Sequence, residues 1–114
     1  MIVVNRFRVP EGAQAVFRDD LQRAREALAA QPGYLAGRIG RNVDDPELWV
    51  LQTQWDGPGA YRRGLSAYDV KVRAWAVLGR AIDEASAYEV IGGGQEPNQA
   101  RPRGTGDTGR PGGG

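Results

Sequence analysis

The segment RNVDDPELWVLQTQWD (residues 41–56) decides the fold. It opens with a turn, because Asp44 and Asp45 bond to nearby backbone and Pro46 fixes its own φ angle. The residues after the turn alternate between two faces, with the period of two that is typical of a strand. One face carries Trp49, Leu51, Thr53 and Trp55, and the other carries Leu48, Val50, Gln52 and Gln54. Because neither face is strongly polar, we expect a central strand that is covered on both sides.

The rest of the chain up to residue 91 supplies the elements around this strand. Alternating residues predict strands, and apolar residues at spacings of three and four predict helices. In the second strand we expect Leu35, Gly37 and Ile39 to share one face. The predicted elements are a strand at 2–9, a helix at 11–30, a strand at 34–41, the strand already described, a short helix at 59–65, a helix at 69–84 and a strand at 86–91. This βαββαβ order predicts an α+β, ferredoxin-like fold with one antiparallel sheet and the helices on one of its faces.

Composition divides the chain into a domain at 1–91 and a tail at 92–114. The tail contains nine glycines and a single apolar residue, Ala100. It cannot bury enough surface to offset the cost of ordering, and we expect it to be disordered. The domain carries twelve basic and twelve acidic residues. This neutrality argues against nucleic acid or an anionic membrane as a partner, and no apolar run approaches the ~20 residues of a membrane span.

The chain contains neither histidine nor cysteine. The lack of cysteine excludes disulfides, thiol catalysis and cysteine-ligated metals. The lack of histidine removes the usual general base and the usual ligand of metals and haem. The sequence therefore predicts no metal and no cofactor. Because the N-terminus does not have the layout of a signal peptide, we expect a cytoplasmic protein.

The sheet face turned away from the helices predicts an assembly. Four apolar residues fall on it, among arginine and glutamine side chains: Ile2, Val4, Leu48 and Val50. An apolar patch with a polar rim is typical of an interaction surface. We expect a two-fold homodimer in which this face packs on its copy. The alternative is a monomer with a partly apolar open face.

Several short motifs, taken together, resemble the antibiotic biosynthesis monooxygenase superfamily over roughly residues 1–91. They are Asn5 in the first strand, Pro32-Gly33-Tyr34 after the long helix, Asp44-Asp45-Pro46 in the hairpin, and Trp55-Asp56 followed by Ala60-Tyr61. The resemblance implies a dimeric α+β barrel whose subunits each hold a pocket between sheet and helices. Members of this superfamily include cofactor-free oxygenases acting on aromatic polyketides and haem-degrading enzymes.

The resemblance also implies functional residues. An asparagine on the first strand and a tryptophan ending the third line the pocket in several members, which makes Asn5 and Trp55 the candidate catalytic residues. Many members carry a histidine where this chain has Gly64. The haem-degrading branch needs an axial histidine roughly where this chain has Arg73, which argues against haem degradation by that route.

Five further residues are candidates for substrate binding. Phe7 shares the predicted face of Asn5, and Tyr61 and Tyr68 carry hydroxyls that could orient or protonate a ring. Arg73 could pair with an anionic substrate, and Trp75 could form part of the pocket wall. The alternative for the aromatic residues is core packing or a solvated edge, and for Arg73 it is a solvated helix face.

Three functions are compatible with these residues. The first is a cofactor-independent monooxygenase that oxidises an aromatic, polyketide-type small molecule with O2. The second is a non-catalytic small-molecule-binding or accessory dimer, which the lack of an identifiable general base favours. The third is a structural dimer whose pocket is filled by side chains. Because folds host many functions, the resemblance is the main support for the first, which we adopt as the expectation.

Overall fold

A four-stranded antiparallel sheet, covered on one face by helices, forms the domain in the computed structural model, which describes residues 1–92. The strand order is β2-β3-β1-β4. The elements are β1 Ile2–Arg8, a 3₁₀ turn Glu11–Ala13, α1 Gln14–Ala29, β2 Tyr34–Arg41, β3 Leu48–Trp55, α2 Pro58–Ser66, α3 Tyr68–Arg73, α4 Trp75–Leu78 and β4 Ala87–Tyr88. The predicted ferredoxin-like α+β fold is therefore confirmed. The tail predicted to be disordered lies, from residue 93 onward, outside the described residues.

Strand β3 is central, as its alternation predicted. It pairs with β1 on one side and with β2 on the other. The face predicted to be apolar is buried in full: Trp49, Leu51, Thr53 and Trp55. On the opposite face, three residues are half-buried and Gln54 is exposed. The period of two thus fixes which side chains of β3 enter the core.

Helix α1 covers the sheet with the face that its spacing predicted. Phe17 is buried and lies between two aromatic side chains of the sheet, with ring centroids 5.2 Å from Phe7 and 5.7 Å from Trp49. The chain reverses after the helix at Gly33, whose φ of 88° favours glycine. The Pro32-Gly33 signal for the end of the helix is therefore confirmed.

Strand β2 differs from its prediction at its first residues. The register with β3 shifts between Tyr34 and Ala36, so Leu35 bulges outward and is 58% exposed. Tyr34 takes the inward position instead, with its hydroxyl over Gly37. A bulge places two residues opposite one and therefore breaks the alternation. The prediction that Leu35 shares the face of Gly37 and Ile39 was wrong.

The prediction of a single helix at 69–84 was also wrong, because the chain forms two short helices there. Ala74 separates α3 from α4 with a φ of −125° and a ψ of −30°. Further on, the backbone N–H of Ile82 donates to the carbonyl of Arg6 at 2.7 Å. This bond to β1 replaces the bond that a continuing helix would make. None of the helices within residues 1–92 is long and apolar enough to cross a membrane.

Candidate functional site

A cavity of about 350 Å³ lies between β1, α2 and the turn around α4. Six residues line it: Asn5, Tyr61, Leu65, Trp75, Leu78 and Gly79. Three of these, from three different elements, were candidates on sequence grounds. The volume falls within the range of ordinary small-molecule pockets.

Asn5 enters the cavity from the sheet. It lies opposite Leu51 in the β1–β3 ladder, on the face that also carries the buried Val3 and Phe7. Asn5 itself is only half-buried, because the cavity interrupts the core above it. It supplies the one amide side chain among the lining residues, with both a donor and an acceptor.

Tyr61 enters the cavity from α2 and is supported from behind by Trp55. The two ring centroids are 5.5 Å apart. Trp55 is held in turn by its indole N–H, which donates to the Thr53 hydroxyl at 2.9 Å. Burial raises the pKa of Tyr61 above its ordinary value. The Tyr61 phenol therefore stays protonated at neutral pH and is available as a hydrogen-bond donor.

Trp75 forms the helical side of the cavity. Its indole N–H donates to the carbonyl of Leu65 at 2.9 Å, which ties α4 to α2. The Lys71 ammonium lies 5.2 Å from the centre of the Trp75 ring. The side chain is half-exposed, so a planar surface faces both solvent and the cavity.

The other sequence candidates lie elsewhere. Trp55 is fully buried, behind the cavity surface rather than on it. Phe7 belongs to the core beside Phe17. Tyr68 is 81% exposed. Arg73 donates to Asp69 at 3.0 Å and lies 3.8 Å from Glu26, so it is turned towards α1.

Sequence reasoning missed three of the lining residues. Leu65 follows Tyr61 by four positions, and Leu78 follows Trp75 by three, with Gly79 next to it. Residues at these spacings lie on the same side of a helix. Helical spacing from each candidate aromatic residue would therefore have identified them.

Gly64 stands where the resemblance would place a histidine. The packing around it leaves no room for a side chain. A Cβ atom added there would lie 2.9 Å from Cη2 of Trp55. The edge of the indole therefore occupies the space that a larger residue would need. The same contact keeps Trp55 buried under α2.

The cavity offers hydrogen-bond donors and aromatic surface rather than a metal site or an acid/base pair. None of the lining residues is a carboxylate. Within residues 1–92, no group of three or more histidine, cysteine, aspartate or glutamate side chains could hold a metal ion. The arrangement suits a planar ligand with an oxygen atom directed at Asn5 and Tyr61.

Comparison with known proteins places this geometry in a family. A family profile described as antibiotic biosynthesis monooxygenase matches residues 1–66. The crystal structure of SnoaB, a cofactor-independent oxygenase from Streptomyces nogalater, is 28% identical and superimposes with a TM-score of 0.63, covering 79% of this chain and 94% of SnoaB. A conserved protein from Methanosarcina mazei Go1 has 15% identity and a TM-score of 0.62, covering 75% of this chain and 84% of that one, and so shows the fold alone.

A shorter match involves a 42.8 kDa protein in the whiE locus of Streptomyces coelicolor. It is 29% identical over 59 residues, which make up 52% of this chain and 15% of that protein. The present chain thus matches only a small part of that relative's length. The family profile, by contrast, covers more than half of this chain, including Asn5, Trp55 and Tyr61. The chain therefore belongs to the antibiotic biosynthesis monooxygenase family.

Proposed function

We propose that the chain is a cofactor-independent monooxygenase that oxidises a planar aromatic small molecule with O2. The observation that carries this proposal is the convergence of Asn5, Tyr61 and Trp75 on one cavity. Family membership and the likeness to SnoaB, a cofactor-independent oxygenase, support it. Trp55 contributes by holding the Tyr61 ring in place.

The chemistry needs a substrate that supplies its own electrons. An anthrone-type carbon loses a proton, and the resulting carbanion transfers an electron to O2. Recombination gives a hydroperoxide, which loses water to leave a new carbonyl group. One oxygen atom enters the substrate and the other leaves as water, with both reducing equivalents coming from the substrate.

The lining residues fit this sequence as donors rather than as bases. The developing negative charge of the carbanion resides largely on the conjugated oxygen, which the Asn5 amide and the protonated Tyr61 phenol stabilise. Trp75 provides a surface on which the ring system stacks. Because no carboxylate lines the cavity, the proton passes to solvent.

Oxygen uptake tests the proposal. We expect purified protein to consume O2 with an anthrone, without added metal or flavin, faster than the spontaneous reaction. Asn5→Ala should lower kcat/KM by roughly a hundredfold, as the loss of one oxyanion donor does in other enzymes, and Tyr61→Phe should lower it as well. Tyr68→Phe is the matched control, because its exposed ring lies off the cavity and its loss should leave the rate unchanged.

A negative result in the oxygen-uptake assay would decide against the proposal. No acceleration over a panel of such substrates, with the protein folded, would contradict the oxygenase proposal. Binding of the same compounds without turnover would then favour a non-catalytic binding protein.

We further propose a homodimer formed through the open face of the sheet. Ile2, Val4, Leu48 and Val50 lie together there and are only half-buried by the chain itself. Two arginines of this face are neutralised by carboxylates: Arg6 pairs with Glu84 at 2.7 Å and Arg8 with Asp45 at 2.8 Å. The Arg6 guanidinium lowers the pKa of Glu84, so this pair is charged at neutral pH.

Light scattering should accordingly give about twice the chain mass of 12.3 kDa. Val50→Lys should shift the protein to a monomer, because it places a charge in the middle of the apolar patch. Val16→Lys, on the exposed side of α1, makes the same chemical change and should leave the mass unchanged. A monomer for the unsubstituted protein would refute the dimer.

A further inference from the structure

Charge is unevenly distributed along the described chain. Residues 1–92 as a whole are neutral, with twelve basic and twelve acidic side chains. The segment 57–82, which runs from the start of α2 past the end of α4, contains five basic residues and one acidic residue. They are Arg62, Arg63, Lys71, Arg73 and Arg80, and Asp69. The segment, which we call the basic segment, therefore carries four positive charges that the rest of the domain balances.

The basic segment is also the part of the chain that encloses the cavity. It supplies five of the six lining residues, all except Asn5. Its one carboxylate, Asp69, is engaged by Arg73 and so does not offset the remaining cations. None of the five cations is itself a lining residue. Arg73 is turned towards Glu26 of α1, and Arg80 lies over the ring of Phe17, so neither is directed at the cavity.

Lys71 is the cation that lies beside a lining side chain. Its ammonium is 5.2 Å from the centre of the Trp75 ring, close enough for a cation–π contact. An anion stacked next to Trp75 would thus lie well within the ~8 Å Debye length at physiological ionic strength. Lys71, rather than Arg73, is thus the cation beside the aromatic wall of the cavity.

We infer that the cavity selects an aromatic substrate that carries a carboxylate in addition to its reacting oxygen, with that carboxylate on the Trp75 side near Lys71. The inference rests on the proposed function for the position of the reacting oxygen at Asn5 and Tyr61. A phenolate alone would not use Lys71, because its oxygen is directed to the neutral donors. A permanent negative charge at the other end of the ring system matches both sides of the cavity.

The positive charge of Lys71 also acts before the ligand touches the protein. A cation beside a binding cavity raises the local concentration of an anionic ligand and its association rate, and salt screens this effect. One unit charge at about 8 Å, in surroundings between water and protein interior, changes affinity by roughly fivefold. Lys71 alone is therefore expected to have a measurable effect.

The test uses two ligands that differ in charge and share a ring system, 9-anthracenecarboxylate and 9-anthracenecarboxamide. Their affinities are measured by titration of intrinsic fluorescence at about 0.01 M and about 1 M ionic strength, where the Debye length is ~30 Å and ~3 Å. We expect the carboxylate to bind roughly fivefold more tightly than the amide at low salt, and the two affinities to converge at high salt.

Three variants assign the preference to Lys71. Lys71→Gln should remove most of the preference for the carboxylate, and Lys71→Arg should retain it, because the arginine keeps the charge. Arg18→Gln removes the same charge from α1, where its nearest carboxylate is Asp19, and should retain the preference as well. Affinity for the neutral amide should be similar in all four proteins.

The outcomes separate this inference from the proposed function. Equal affinities for the two ligands at low salt, or a preference that survives Lys71→Gln, would overturn the inference and leave the oxygenase proposal standing. A carboxylate preference that depends on Lys71, in a protein without oxygen uptake, would support the inference and contradict the oxygenase. If neither ligand binds, the inference is overturned, and the oxygen-uptake assay decides the oxygenase proposal separately.

Discussion

Replacing Gly33 by alanine is expected to lower the free energy of unfolding by about 2–4 kcal/mol, as the sum of backbone strain and overpacking. The φ angle of 88° is one that side chains with a Cβ rarely adopt. The added Cβ would also lie 2.4 Å from the Cβ of Ala60, on the first turn of α2. The variant must therefore move α2 away from the end of α1. Urea denaturation followed by circular dichroism measures the loss.

Gly12→Ala is the matched control for this prediction. A Cβ at Gly12 would meet no atom within 4 Å, and the residue has an ordinary φ angle. We expect its free energy of unfolding to change by less than about 0.5 kcal/mol. Equal losses in the two variants would show that the turn at Gly33 imposes no special demand. Because Tyr61 lies directly after Ala60, ligand binding should also weaken in Gly33→Ala.

Trp55→Ala is expected to destabilise the domain by about 3–5 kcal/mol, which is the cost of removing a large aromatic side chain from a core. Trp55 is fully buried and lies edge-on to Tyr34, with centroids 5.3 Å apart, as well as against Tyr61. Its removal opens a space under α2 and leaves the Thr53 hydroxyl without its donor. The expected result is a large drop in both the melting temperature and the denaturation midpoint.

Trp75→Ala separates packing from ligand contact. Because half of this side chain is exposed, we expect a loss of about 1 kcal/mol or less, including the hydrogen bond to Leu65. Ligand affinity should fall strongly nonetheless, since Trp75 lines the cavity. A stability loss as large as that of Trp55→Ala, or unchanged ligand binding, would contradict the assignment of Trp55 to support and Trp75 to contact.

The parts of the fold that the sequence predicted correctly are those set by local periodicity. In β3 each side chain follows its neighbour to the opposite face, so Trp49 and Trp55 had to enter the core together. The end of α1 followed from the backbone freedom of Gly33. Asn5 was identified through the resemblance and Tyr61 through its hydroxyl, and the structure brings them to the same cavity.

The parts that the sequence did not predict depend on contacts between distant residues. The helix expected at 69–84 ends early because Ile82 bonds to Arg6, more than seventy positions away. Arg73 faces α1 because Glu26 lies there, 3.8 Å from its guanidinium. Neither partner is visible in the local pattern.

The same applies to Trp55 in the site, where the local sequence pattern did not show which residues it would contact. Its inward direction followed from the alternation, but alternation does not tell whether an inward side chain meets a cavity or another residue. Tyr61 and Gly64 decide that question by closing over the indole. Both belong to the helix that follows the strand, and their contact depends on the angle at which that helix packs.

The break at Ala74 has a consequence for how the specificity of this chain could change over time. The family profile ends at residue 66 and so includes Asn5, Tyr61 and Leu65, whereas Trp75, Leu78 and Gly79 come after it. These last three residues lie on and just after a single helical turn, which joins α2 through one indole hydrogen bond. Within this turn Val77 is buried in the core, whereas Trp75 is half-exposed, so Trp75 is the position that can change at the smaller cost in stability. Under the proposed function, the part of the chain that the profile matches supplies the hydrogen-bond donors, and the turn after it supplies the stacking surface.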